Sequence, residues 1–243
     1  MKKLHFLLAA TMMISFASCK KSSDTVTPPY ACATCVHTPD AKAANDGSSK
    51  GIYKGVVIGS SGTIVFDIAN NGTAITAIMV IDGITVNLIA TVTWQPGAAY
   101  ITDFTGTLSG QPVTIHFTVG PTGGSPTVTS TNIPGHPNAS LNVIKETSSG
   151  LVECFEGTYH STRPEDGIIN LILSRTLGTW LGFARQNGGT TSGTAGTGTI
   201  VNNNLIDPSQ NNKVISTLSG DNLNGSFLDQ NNRTITITGH RTW

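Results

Sequence analysis

Charge is scarce in this chain. Asp, Glu, Lys and Arg make up 12% of its 243 residues and cancel to a formal net charge of zero, where a typical soluble domain carries about 25% charged residues. Without a basic excess there is no patch to hold a phosphate backbone, so nucleic acid is not expected as a partner. Aromatics are also few, at 6%, which argues against the aromatic girdles of a membrane-spanning barrel. After the N-terminal segment, no apolar run approaches the ~20 residues of a membrane helix. Familiar catalytic signatures are missing too: no Gly-x-Ser-x-Gly, no His-Glu-x-x-His, no phosphate loop and no Asp-x-Asp-x-Asp calcium loop. No cofactor and no metal are expected.

What the chain has is Gly, Thr and Asn, the residues of strands joined by tight turns. From Gly51 onward the apolar residues recur at period two. Ile84, Val86, Leu88, Ala90, Val92 and Trp94 share one face, and Val113, Ile115, Phe117 and Val119 share another. The same alternation runs from Arg233 to Thr238. This pattern predicts antiparallel strands with one buried face and one wetter face. Asn71-Gly72 and Asp82-Gly83, between apolar runs, predict hairpins. No segment carries a sustained helical stripe.

The chain also resembles itself. Gly51–Gly55 matches Cys154–Tyr159 as a strand with an aromatic beside glycine, and Gly62–Ile68 matches Gly167–Leu173. Asp103–Leu108 with Val113–Phe117 matches Asn222–Phe227 with Arg233–Ile237. The expected fold is therefore all-β: an antiparallel meander barrel or sandwich built from two tandem repeats, residues 51–150 and 151–243. Each repeat should hold about five or six strands, from ordinary strand lengths. The two halves close one barrel or sandwich, or fold side by side; one joined β structure is favoured, because closure removes exposed edges. Residues 19–50 read as a polar, flexible tether with few large apolar side chains to bury.

The N-terminus has its own logic. Met1-Lys2-Lys3 is basic, Leu4–Phe16 is mostly apolar, and the small residues Ala17-Ser18 lead straight into Cys19. This order is that of a secretory signal, residues 1–18, cut before a cysteine. It resembles a bacterial lipoprotein signal, with Phe16-Ala17-Ser18-Cys19 as the lipobox. The whole arrangement of lipobox, polar tether and Gly-x-Tyr-x-Gly-like β repeats resembles envelope lipoproteins of the Bacteroidetes group. The resemblance implies acylation of Cys19 and an outer-membrane location, on either the periplasmic or the surface face. Each buried acyl CH₂ contributes ~0.8 kcal/mol, and two chains already anchor a protein stably. The membrane is thus one expected partner.

Three cysteines remain. Cys32 and Cys35 form Cys-x-x-Cys and Cys154 stands alone. Val36 separates Cys35 from His37, which breaks the haem-attachment motif. In an oxidising compartment a structural disulfide is expected, either Cys32–Cys35 or one of them with Cys154.

The candidate site residues fall into two sets. Trp94 and Trp180 lie near turns, where a flat ring can stack on a sugar. Glu156 and His160 would share one face of a strand, placed to act as acid and base or to hold a cation. The other reading of each set is a core aromatic and a solvated charge pair. The sequence points to a non-catalytic binding or assembly module for a glycan or an envelope protein. The alternatives are an envelope hydrolase using Glu156 and His160, or a purely structural lipoprotein.

Overall fold

The computed structural model describes residues 29–191 and 193–243. Cys19, the signal segment and the first part of the tether lie outside the described residues. Among the described residues the chain is all-β. Strands β1–β8 are Gly51–Ile58, Gly62–Ile68, Ile75–Ile81, Ile84–Ile89, Tyr100–Leu108, Gln111–Val119, Thr127–Asn132 and Ser140–Lys145. Strands β9–β16 are Glu153–Ser161, Gly167–Ser174, Thr179–Gln186, Thr194–Val201, Asn204–Asp207, Lys213–Ser219, Asn222–Leu228 and Thr234–Arg241.

Each half is an eight-stranded antiparallel meander, longer than the five or six strands expected, whose last strand returns to pair with its first. In the second half the ring closes fully through β16 and β9. In the first, β8 pairs with β1, and the sheet curls until β7 and β8 lie alongside without a ladder between them. Thr131 Oγ1 bridges that seam by donating to the Ala139 carbonyl at 3.0 Å. The two halves therefore form two barrels, which corrects the expectation of one joined structure. Each half satisfies its own edges, so neither needs the other for closure.

The matching hairpins hold different places. β5–β6 is fifth and sixth in its barrel, whereas β15–β16 is seventh and eighth. Alternating Thr and apolar residues look alike wherever they occur in a ring. The β1–β9 and β2–β10 matches do fall on equivalent strands. Of the two hairpin signals, Asp82-Gly83 forms a tight two-residue turn with positive φ at both residues (48° and 75°). Asn71-Gly72 sits in a longer loop, closed by the Ala69 N–H donating to Ala74 O at 3.0 Å.

The first barrel is filled. Tyr53, Phe66, Phe104 and Phe117 meet at its centre with ring centroids 4.6–6.1 Å apart, and Ile64, Met79, Leu88 and Ile115 pack around them without exposure. Four interlocked rings leave an eight-stranded barrel no space for a ligand. The apolar face read at 84–94 is inside at Val86 and Leu88. Ile84 is 46% exposed, and the strand ends at Ile89.

The barrels pack side by side through the outer faces of β1, β9, β10 and β11. Every residue of β1 is buried, because its outward Val56 and Ile58 meet Val152, Cys154, Ile172 and Phe183. Trp243 also packs in this seam. Buried Asn170 of β10 accepts from the Gly59 N–H at 3.1 Å and donates to the Ser60 carbonyl at 3.1 Å, bolting the β1–β2 turn to the second barrel.

Residues 29–50, read above as tether, lie along both barrels. Tyr30 Oη donates to Arg241 O at 3.0 Å and the Cys32 N–H donates to Asp221 at 2.9 Å, both in the second barrel. Further on, Ala41 and Ser49 are buried, and Lys145 Nζ donates to the carbonyls of Asn45, Asp46 and Ser48. Backbone contacts of this kind need no large apolar side chain, so composition did not reveal them.

Candidate functional site

The second barrel is built differently inside. Its floor is Phe155, Leu171, Leu173, Leu205, Leu218 and Leu223, all buried. Towards one end the inward positions include Gly182 and Gly196, which face each other across β11 and β12. There the barrel keeps an open cavity of about 300 Å³, lined by Tyr159, Ile169, Trp180, Ile215, Phe227 and Ile235 below and by polar residues at the mouth. This is the low end of the ~300–1,000 Å³ range of ligand pockets.

Trp180 is 5% exposed. Its Nε1 donates to the Ile206 carbonyl at 3.1 Å, which fixes the ring. The ring lies flat on a wall of glycines: a Cβ on Gly198 would sit 2.6 Å from Nε1, and one on Gly196 3.3 Å from the ring edge. The wall lacks side chains there because the indole occupies their space. Trp180 is thus both a core residue and part of the cavity lining.

The mouth carries three carboxylates, Glu165, Asp207 and Asp229, against one guanidinium, Arg233. Arg233 bridges Glu165 at 2.5 Å and Asp229 at 2.7 Å. The Arg233 backbone N–H, followed by its side chain, holds the Asp229 carboxyl below the usual range. Asp207 spends Oδ1 on the Ser209 backbone N–H and hydroxyl at 2.8 and 2.7 Å. Its Oδ2 shares with the indole the inner face of Gly196. Gln210 also lines this space, and its Oε1 is buried without a hydrogen-bond partner. An unpaired buried acceptor costs about 1–3 kcal/mol.

The residues singled out from sequence are distributed as follows. Trp94 is half-buried at the edge of the first barrel. Its Nε1 donates to Ser49 Oγ at 2.8 Å and Lys50 Nζ lies 4.4 Å from the ring, so it clamps residues 49–50. Glu156 and His160 each have another partner. Glu156 lies 3.5 Å from His240, and His160 lies 3.2 Å from Asp166. Burial raises the Glu156 carboxyl, and His240 partly offsets it. Cys32 and Cys35 form a disulfide, and Cys154 is a free, buried thiol in the inter-barrel seam.

No family model, curated protein or solved structure matches this chain.

Sequence reasoning missed the mouth residues Asp207, Gln210, Asp229 and Arg233. They sit in turns and strand ends of a Gly/Asn-rich stretch, where isolated polar residues are ordinary. It also missed a run of contacts from Asp82 through His136 to Ser60, an ion-pair contact followed by a hydrogen bond, between three residues far apart in sequence.

Proposed function

We propose that this protein is a lipid-anchored module of the outer membrane that binds a small carbohydrate in the mouth of its second barrel. The observation that carries the reading is the contrast between the two interiors. One barrel is packed solid with aromatics, while the other keeps a cavity with Trp180 in its wall and unpaired Gln210 Oε1 at its side. A sugar offers a C–H face for the indole and hydroxyls for planar carboxylate, amide and guanidinium groups. The anchoring half of the reading rests on the lipobox-like Phe16–Cys19 alone.

The test is a titration of the full chain with mono- and oligosaccharides, followed by tryptophan fluorescence in a Trp94→Phe background. A saturable change that disappears in folded Gln210→Leu protein supports the reading. A flat response across the panel, or a change that survives Gln210→Leu, rejects it.

A further inference from the structure

We propose that Ser60, His136 and Asp82 form a nucleophilic relay in the groove between the barrels, able to cleave short-chain acyl esters. The site is separate from the second barrel's mouth, so either reading can fail alone.

Three turns build the relay. Asp82 occupies the tight β3–β4 turn, and Ser60 follows Gly59 in the β1–β2 turn. His136 lies in the loop between β7 and β8. Ser61 Oγ donates to Asp82 Oδ1 at 3.0 Å, which orients the carboxylate. Asp82 Oδ2 lies 3.1 Å from His136 Nε2. With the imidazole proton on Nε2, on the side of Asp82, the Nδ1 lone pair is left for Ser60 Oγ at 3.3 Å. Serine, imidazole and carboxylate thus stand in the order that activates a hydroxyl, with the two ring nitrogens exchanged relative to the familiar serine-protease arrangement.

The surroundings suit the chemistry. Asn170 holds the Gly59–Ser60 backbone from both sides, which limits the freedom of the nucleophile. Arg185 is 8% exposed and packs on Gly59, where a Cβ would lie 2.5 Å from Cζ. Gly59 has φ +75°, so glycine there serves both the turn and the approach of the guanidinium. Ser60, His136 and Arg185 line one cavity of about 220 Å³, with Asn138 and Gln186 among its polar walls. Its size suits an acetyl-sized acyl group on a polar alcohol.

Ser60 Oγ bonds to the ester carbonyl carbon while its proton passes to His136 Nδ1. Arg185 lines the same cavity, its Nε held by the Thr191 carbonyl at 3.1 Å, and supplies the positive charge for the oxyanion that forms. The carbon–oxygen bond to the alcohol breaks, and the alcohol departs with the proton from Nδ1. Water then attacks the acyl-serine, giving one proton to His136. The free acid leaves, and that proton returns to Ser60 Oγ.

The test treats the full chain with p-nitrophenyl acetate and, separately, with an alkyl fluorophosphonate whose fluoride a reactive serine displaces. The labelled peptide is mapped by mass spectrometry. Expected results are a phosphonyl label on Ser60 and ester turnover that is abolished in Ser60→Ala. Removing the base in His136→Ala should lower turnover by about 10²–10⁴-fold. Asp82→Asn should lower it with folding retained, while His160→Ala should leave it unchanged. If Ser60→Ala fails to fold, Ser60→Cys keeps a nucleophile and should be alkylated faster than an exposed thiol at the same pH. Absence of label on Ser60 in folded protein, or turnover undiminished by Ser60→Ala, overturns the proposal and leaves a purely structural relay.

Discussion

Lys54 Nζ and Glu146 Oε2 stand 2.6 Å apart, and neither side chain reaches solvent. Glu146 also accepts from the backbone N–H groups of Asp40, Ala41 and Val152 at 2.7, 3.3 and 3.0 Å. One carboxylate thus ties β1, the N-terminal segment and the connection between barrels. A buried pair with its remaining lone pairs satisfied escapes much of the desolvation penalty that makes such pairs weak. Lys54→Met should destabilise the protein by about 3–5 kcal/mol, because it strands Glu146. The double variant Lys54→Met/Glu146→Leu should cost less than the sum of the singles. Denaturant unfolding of the four proteins checks this, and additive effects would contradict it.

The two tryptophans should differ sharply. Trp180→Ala empties a packed wall and should cost about 3–5 kcal/mol. Trp94→Ala should cost less, since its ring is only half-buried, but should release residues 49–50. Unfolding midpoints rank the two, and hydrogen exchange around Ser49 should rise in Trp94→Ala alone.

Glu156 sets a pH dependence of definite sign. Burial raises its folded pKa, so the folded state holds the proton more tightly than the unfolded chain. Its contribution to stability is present below the ordinary glutamate range and is lost as the pH rises through the folded value. Glu156→Gln should therefore raise the Tm at about pH 7 and leave it nearly unchanged at about pH 4. A lower Tm at neutral pH would show that the His240 contact outweighs burial.

Cys154 reports on the seam between barrels. Burial pushes its thiol up to about 12, and its Sγ lies 3.6 Å from the Gly55 carbonyl. In the native protein at about pH 8 it should resist a thiol reagent, because the thiolate is the reactive form. Its labelling rate should rise with denaturant as the barrels part. Fast labelling of the folded protein would mean that the seam opens readily.

The strands were legible because their signal is local. Val113, Ile115, Phe117 and Val119 alternate with polar residues, and all four are buried in the first barrel. Asp82-Gly83 specifies its turn through backbone conformations that few residues adopt readily. The boundary between the two sheets falls between β8 and β9, close to where the repeat pattern restarts. The cavity was not legible. Gly182 and Gly196 read as ordinary strand glycines until closure of the barrel sets them around Trp180.

By itself, the sequence determined the β class, the Asp82-Gly83 turn and the division into two similar halves, because side-chain alternation and φ preference act within a few residues. Only the tertiary structure decided that the halves close separately, that Trp180 faces a cavity while Trp94 clamps a segment, and that Ser60 meets His136. Those outcomes depend on ring closure and on which surfaces of two barrels meet. Both join residues tens of positions apart, and no local preference records them.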